Sequence, residues 1–89
     1  MHKVVITGAA SGLGRALALR YAQAGAQLCI VDLNVVEGEA VASLIQSKGG
    51  SAFFQACDIT EQADVEQLSA IINERWGSCL LYTSPSPRD

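Results

Sequence analysis

A glycine-rich segment near the start of the chain carries the strongest chemical signal, reading Thr-Gly-Ala-Ala-Ser-Gly-Leu-Gly over positions 7–14. Gly8 permits a tight turn, Gly12 leaves the backbone bare for a diphosphate, and Gly14 lets a following helix pack closely against a sheet. The N–H groups at the start of such a helix point outward and attract phosphate, aided by the helix dipole. The segment therefore predicts a phosphate-binding turn.

Other glycine motifs do not fit the same residues. A P-loop needs glycine at position 13 followed by lysine, and this chain has Leu13 there and no lysine after Gly14. The G-x-G-x-x-G fingerprint fails because the spacing is G-x-x-x-G-x-G, and a nucleophile elbow around Ser11 would need glycine in place of Ala9. The alternative is that the glycine-rich segment is a simple connecting turn, which the presence of an acid at Asp32 disfavours.

Asp32 follows the second apolar run of the chain and lies 18 residues after Gly14. An acid about 20 residues beyond a phosphate-binding turn accepts hydrogen bonds from the ribose hydroxyls of a dinucleotide. A carboxylate there also repels a 2′-phosphate, which disfavours NADP. The alternative is an ordinary polar residue at a strand end. Position and chemistry together predict NAD as the cofactor.

These residues need a scaffold, and the hydrophobic pattern supplies one by alternating short apolar runs with amphipathic segments. Strands are predicted at Lys3–Thr7, Gln27–Asp32 and Ser51–Cys57. Helices are predicted over Leu13–Ala24 with Gly25 as the stop, from an Asn34 cap to Gly49, and from a Thr60 cap to Gly77. The order βαβαβα predicts an α/β fold, a Rossmann-type doubly wound parallel sheet with right-handed crossovers.

Each predicted helix has an apolar stripe that should face the sheet. The three stripes are Leu13, Leu17, Tyr21 and Ala24; Val41, Leu44 and Ile45; and Val65, Leu68, Ile72 and Trp76. Asn34 with Glu37 three residues later forms a capping-box pattern. Glu61 and Asp64 fall in the first turn of the third helix, where the helix dipole favours acids.

The Thr-Gly-x-x-x-Gly-x-Gly segment resembles the signature of the short-chain dehydrogenase/reductase family, and the resemblance extends from Lys3 to about Ser78. It implies strand order 3-2-1, with Thr7 holding the turn. It also implies that the pyrophosphate is surrounded by Gly8, Ser11, Gly12, Leu13 and Gly14. The spacing differs from the Thr-Gly-x-x-Gly-x-x-Gly of the family's epimerase branch, which disfavours a sugar-nucleotide epimerase.

The resemblance also implies roles around the adenosine. NADP-preferring relatives carry a basic residue at the positions that Ser11 and Leu33 occupy here, so the resemblance favours NAD. Cys57-Asp58-Ile59-Thr60 is similar to the family's adenine-binding segment. In that segment Asp58 would accept a hydrogen bond from the adenine amino group and Ile59 would offer a backbone contact and an apolar edge.

No residue of this sequence matches the family's catalytic pattern of a serine and a Tyr-x-x-x-Lys pair, since Gly25 lies four residues after Tyr21 and Ser86 lies four after Tyr82. No catalytic residue is therefore assigned, and the chain alone is expected to be inactive. The resemblance implies that the intact protein is an NAD(P)-dependent oxidoreductase, transferring hydride between the cofactor and a small alcohol or ketone, and a homo-oligomer. The alternative is a non-catalytic Rossmann-type nucleotide sensor.

Positions 79–89 differ in composition from the rest of the chain. Positions 79–89 resemble the in-frame translation of a sequencing-library adapter, so residues 1–78 are expected to be the N-terminal part of an NAD-binding domain and 79–89 a non-native tail. The other reading is a fourth strand over Cys79–Thr83 followed by a loop. With the fourth strand missing, the edge of the strand at Lys3–Thr7 would be open and the chain prone to aggregation.

Composition excludes several other classes of function. The 89 residues carry a net charge of −3, with 6 scattered basic residues, so no nucleic-acid partner is expected. No apolar run approaches the ~18 residues needed to cross a membrane, and no secretory signal is visible, so a cytoplasmic location is expected. The cysteines Cys29, Cys57 and Cys79 form no C-x-x-C pair and the only histidine is His2, so no metal site is expected.

Overall fold

The computed structural model describes residues 3–77 and 81–83. Within this part the chain alternates strands and helices throughout. The elements are β1 (Lys3–Thr7), α1 (Gly12–Gln23), β2 (Gln27–Asp32), α2 (Val35–Ser47), β3 (Ser51–Ala56), α3 (Gln62–Trp76) and β4 (Leu81–Thr83). The predicted α/β order is confirmed. The bounds of β1 and β2 are as predicted, whereas α1 begins and ends one residue earlier and β3 ends one residue earlier than predicted.

The strands form one parallel sheet in the order β3-β2-β1-β4, which confirms the predicted 3-2-1 arrangement. β2 lies in the middle of that arrangement, with Cys29 opposite Val5 on one side and opposite Phe53 on the other. Because parallel strands end at the same edge of a sheet, the turn after β1 and the acid at the end of β2 come out side by side.

The expected open edge of β1 is not found, because β4 pairs in parallel with Val4–Ile6. For Leu81–Thr83 the structure agrees with the other reading of the sequence, a fourth strand within Cys79–Thr83. The free N–H and C=O groups along an apolar strand such as β1 favour pairing with any short extended segment that reaches them. Leu81, Tyr82 and Thr83 include residue types that favour strands, and α3 delivers them to this edge. Apart from these three residues, the predicted tail 79–89 lies outside the described residues.

Both faces of the sheet are covered, as expected for a doubly wound fold. Side chains alternate along each strand, so Ile6 and Ile30 point to one face while Val5 and Cys29 point to the other. The first face packs against α1 and α2 around Ala18, Val41, Ala42 and Ile45. The second face packs against α3 through Leu68 and Ile72. Among the helices that the structure describes, none is long and apolar enough to cross a membrane.

Two predicted helix faces are confirmed only in part, since Tyr21 of α1 packs against the core as predicted but other members of the two stripes do not. In α1 the buried residues are Gly14 and Ala18, while Leu13 is 59% exposed and Ala24 is exposed. Small residues occupy the sheet-facing line because α1 starts in close contact with the turn that precedes it. In α2 Val41 and Ile45 are buried as predicted, but Ala42 shares their face and Leu44 is only partly buried.

The predicted face of α3 holds for Leu68 and Ile72, whereas Val65 is 37% exposed. Trp76 at the end of α3 is partly buried and stacks edge-on against Phe53, with ring centroids 5.5 Å apart.

The predicted start of α3 is wrong. Its N-cap is Glu61, and Thr60 lies in the turn before it. The Thr60 hydroxyl donates to Asp58 Oδ1 at 2.6 Å, so it is turned toward the strand rather than toward the helix.

Candidate nucleotide-binding site

The turn between β1 and α1, residues 8–14, is here called the phosphate end of the site. Gly8 has a φ of 66°, a conformation that side chains disfavour. Ser11 caps α1: its Oγ donates to the Gly8 carbonyl at 2.8 Å and accepts the Gly14 N–H at 3.3 Å. The cap therefore joins both ends of the turn, which gives the start of the helix a defined direction.

Several N–H groups of this turn already donate hydrogen bonds within the protein, those of Ala10 and Gly14 to side chains and others to backbone carbonyls. Ala9 N–H donates to the Val31 carbonyl at 3.2 Å, and Ser11 N–H donates to the Gly8 carbonyl at 3.2 Å. The N–H groups of Gly12 and Leu13 have no acceptor within residues 3–77 and 81–83. These two groups, in the first turn of α1, are therefore the donors available to an anion.

The two later glycines of the turn differ in what surrounds them. A Cβ at Gly14 would overlap the Gly8 carbonyl oxygen and come within 2.8 Å of Ala9 Cα. A Cβ at Gly12 would meet nothing within 4 Å. Glycine is therefore required at position 14 because the backbone of the turn packs directly against it. Gly12 instead faces open space at the start of the helix. The close packing at Gly14 is the role that the sequence predicts for that residue.

Asp32 connects the turn to β2. Its Oδ2 accepts the Ala10 N–H at 2.9 Å, and its Oδ1 accepts the Asn34 N–H at 2.9 Å. One carboxylate thus joins the turn after β1 to the turn after β2. The predicted proximity of the glycine-rich turn and the acid is confirmed by direct contact.

The same contact changes the predicted cap of α2. Asn34 Oδ1 accepts the Glu37 N–H at 3.0 Å, as a cap should. The return bond of a capping box would run from the Asn34 N–H to the Glu37 side chain. Asn34 N–H donates to Asp32 instead, so only half of the predicted capping box forms.

Residues 57–60, between β3 and α3, are here called the adenine end of the site. Asp58 Oδ1 accepts both the N–H of Thr60, at 2.9 Å, and its hydroxyl, at 2.6 Å. These bonds from Thr60 lower the pKa of the Asp58 carboxyl. Burial raises the pKa of the Cys57 thiol, and the nearby charges of Asp64 and Asp58 raise it further. Asp58 is therefore ionised and Cys57 neutral at pH 7.

A cavity of about 210 Å³ lies between the two ends. Its lining residues are Gly8, Val31, Asp32, Leu33, Cys57, Asp58, Ile59 and Thr60. Six of the ten predicted site residues line this cavity, and the other four, Ser11, Gly12, Leu13 and Gly14, form the adjoining helix start. Leu33 and Ile59 are 67% and 47% exposed, so each leaves an apolar surface open to a flat ring.

The sequence did not point to Val31 as a lining residue, nor to Ala10 as the partner of Asp32. From the sequence, Val31 is predicted only as a core residue of a buried strand. Residue type also does not show which backbone N–H group will donate to a side chain. Thr7, which the family resemblance assigns to holding the turn, has a buried hydroxyl with no hydrogen-bond partner in the described part of the chain.

Known proteins are similar to this chain in sequence and in fold. A model of the short chain dehydrogenase family matches residues 2–80. A 3beta-hydroxysteroid dehydrogenase of Mediterraneibacter gnavus is 39% identical over 74 residues, which make up 83% of this chain and 27% of that protein. The chain therefore spans about a quarter of the length of this curated relative.

Solved structures agree. A hydroxysteroid dehydrogenase from Escherichia coli matches with a TM-score of 0.88 and 31% identity, over 93% of this chain and 35% of its own. An oxidoreductase from Haemophilus influenza with bound NAD matches with a TM-score of 0.82 and 28% identity, over 89% of this chain and 29% of its own. The glycine spacing, the parallel sheet and these matches have one consistent explanation: the chain belongs to the short chain dehydrogenase family.

Proposed function

We propose that the intact protein transfers hydride between NAD and a small-molecule alcohol or carbonyl compound, and that this chain supplies the dinucleotide-binding half. The observation that carries the proposal is the 2.9 Å hydrogen bond from Ala10 N–H to Asp32 Oδ2. It brings a helix start with free N–H groups and a carboxylate to one side of the same cavity, which is the arrangement a nucleotide diphosphate and its ribose require.

The diphosphate would bind at the phosphate end. The free N–H groups of Gly12 and Leu13 would donate to its oxygens, and the positive end of the α1 dipole adds attraction. The open space at Gly12 lets the ligand approach the backbone. The dipole contributes only about 0.3–2 kcal/mol, so binding depends on the donors and the rest of the cavity together.

Asp32 would bind the adenosine ribose. A carboxylate offers about four lone pairs, and two are used by Ala10 and Asn34. The remaining lone pairs suit the two ribose hydroxyls. A 2′-phosphate would place a second negative charge beside Asp32, and neither Ser11 nor Leu33 carries a compensating positive charge. NAD is therefore the proposed cofactor, in preference to NADP.

The adenine ring would lie at the adenine end. Leu33 and Ile59 offer apolar surface to its faces, and the Asp58 carboxylate offers an acceptor for its amino group. Because the pKa of Cys57 is raised, its buried thiol lines the cavity without adding charge. Stacking between a base and apolar side chains tolerates many rings, so Asp58 supplies the preference for an amino-bearing base.

The bound nicotinamide would supply the hydride chemistry, and the residues of this chain would hold the other half of the cofactor. The serine and the Tyr-x-x-x-Lys pair of the family do not occur in this sequence. The proposal therefore places catalysis in the rest of the intact protein, with this chain binding cofactor but not turning substrate over. It also takes residues 1–78 as the native part, 79–89 as a non-native tail, the cytoplasm as the location and a homo-oligomer as the assembly.

Calorimetric titration with NAD and with NADP tests the proposal, in this chain and in the completed protein. NAD should bind at least about tenfold more tightly, because charge repulsion at Asp32 opposes NADP. An Asp32→Ser variant should reduce or reverse the preference. Tighter binding of NADP by the unsubstituted protein would contradict the assignment of Asp32, and binding of neither would contradict the nucleotide site.

A further inference from the structure

Asp64 lies inside the first turn of α3 and contacts the adenine end directly. Its Oδ2 accepts the Asp58 N–H at 3.1 Å in a partly buried position. A carboxylate three residues into a helix ordinarily reaches back to the N–H of the N-cap residue. Here the Glu61 N–H already donates to the Asp58 carbonyl at 3.0 Å, so Asp64 is directed to Asp58 instead.

As a result, three of the four polar groups of Asp58 are held by the protein. Its N–H donates to the Asp64 carboxylate, and its carbonyl accepts the backbone N–H of Glu61. Its Oδ1 accepts the Thr60 hydroxyl. Within the described ranges, Oδ2 of Asp58 has no protein partner. The hydrogen bonds therefore fix the orientation of Asp58 and leave one carboxylate oxygen for a ligand at the cavity.

We propose that Asp64 is a positioning residue for the adenine end, holding residues 57–60 in the shape that presents the Asp58 carboxylate to the nucleotide. The inference rests on the proposed nucleotide function and deepens it. Asp64 itself does not line the cavity, so its effect on binding passes through Asp58. The charge of Asp64 also reaches Cys57, the residue on the other side of Asp58, which agrees with its place behind this segment.

The chain contains a matched control for the charge of Asp64. Glu61 lies at the N-cap of the same helix and carries the same charge, but its side chain makes no capping hydrogen bond in the described structure. Asp64→Ala and Glu61→Ala therefore remove equal charge from the same helix end, and only the first removes the acceptor of the Asp58 N–H. Asp64→Asn removes the charge but keeps an oxygen acceptor.

Two probes separate the ends of the site: AMP, which carries adenine, and inorganic pyrophosphate, which does not. Asp64→Ala should weaken AMP binding about tenfold, because AMP binding would then have to order the segment that carries Asp58, and should leave pyrophosphate affinity within about twofold. Asp64→Asn should retain most of the AMP affinity and Glu61→Ala nearly all of it. Titrations followed by amide NMR resolve both ends in one experiment. Equal weakening of both probes, or an equal effect of Glu61→Ala, would overturn the proposal.

A ligand-free readout separates this inference from the nucleotide function. In the same spectra the Asp58 amide proton of Asp64→Ala should move upfield and exchange faster with solvent, because it has lost its acceptor. An unchanged Asp58 amide would overturn the positioning role even if nucleotide binds. Failure of the unsubstituted chain to bind AMP would instead contradict the proposed function, while the Asp58 amide would still report on Asp64.

Discussion

The two ends of the candidate site are held by different kinds of contact. At the phosphate end the decisive hydrogen bond joins Ala10 to Asp32, residues 22 positions apart on separate strand–helix turns. At the adenine end the bonds join Asp58 to Thr60 and Asp64, two and six positions away. The phosphate end is therefore a product of strand pairing, and the adenine end is largely a product of its own local sequence.

This difference predicts different sensitivities. The phosphate end is built from close backbone contacts, as the overlap of a Cβ at Gly14 with the Gly8 carbonyl shows, so it should respond most to added volume. The adenine end is built from carboxylates and their donors, so it should respond most to charge and pH. Substitutions at matched positions can test whether the two ends are as independent as this contrast implies.

The largest effect is expected for Gly14→Ala. The added methyl group overlaps backbone atoms that cannot rotate away, so α1 has to move off the turn, at a cost of about 3 kcal/mol in unfolding free energy. Thermal or urea unfolding measures it. Gly12→Ala is the matched control, because its Cβ meets open space: it should unfold like the unsubstituted chain and yet lose pyrophosphate affinity. Equal unfolding of both variants would refute the packing role of Gly14.

Asp32→Ala should have the next largest effect, because two backbone N–H groups lose their acceptor. We expect a loss of about 2 kcal/mol in unfolding free energy and NAD affinity lowered more than tenfold. Asp32→Asn keeps one acceptor oxygen, so its unfolding free energy and NAD affinity should lie between those of Asp32→Ala and the unsubstituted chain. Pyrophosphate binding is the sharper readout: it should weaken in Asp32→Ala if the carboxylate holds the turn, and strengthen if Asp32 acts only as a charge.

A smaller effect is expected for Thr60→Val, which removes the hydroxyl bonded to Asp58 Oδ1 but keeps the backbone N–H bond. Because this bond is exposed, the unfolding free energy should change little, while AMP affinity should fall by about threefold. Thr60→Ser restores the hydroxyl and should restore AMP binding. Loss of pyrophosphate affinity in Thr60→Val would show that the two ends are coupled after all.

The smallest effect concerns pH. Because hydrogen bonds from Thr60 lower the pKa of Asp58 below its ordinary 3.8, the ionised form is favoured in the folded state. Its contribution to stability is present above pH 3.8 and is lost as the pH falls through the lower, folded-state pKa. The Thr60 amide shift in an NMR pH titration should report this step, and Thr60→Val should move its midpoint upward. An unmoved midpoint would contradict the hydroxyl as its main cause.

Much of this molecule was predictable from local pattern. The apolar runs and capping residues located β1, β2, α2 and the core of α3, and glycine spacing located the phosphate end. The wrong predictions concern residues for which a second contact competed with the local preference on which the prediction was based. Thr60 is a good N-cap residue, but Asp58 lies two positions earlier and accepts its hydroxyl. Leu13 fits a helical apolar stripe, but it is exposed because Gly14 makes the close contact with the turn at the start of α1.

The fourth strand and Asp64 illustrate a second limit. A strand over Cys79–Thr83 is one of two readings of the sequence, and whether Leu81–Thr83 pairs with β1 depends on the edge that the assembled strands leave open. Asp64 reads as an ordinary acid at a helix start. Its bond to Asp58 exists because the Glu61 N–H is already used, a fact of the folded backbone.

The sequence by itself determined the order of strands and helices, the parallel sense of the sheet, the glycine-rich turn and the acid at the end of β2. It could do so because periods of 2 and about 3.6 residues, and the conformational freedom of glycine, are local properties. Only the tertiary structure decided that Asp32 holds the Ala10 N–H and that both ends face one cavity. Those facts depend on strand register, which is settled when distant residues pack together.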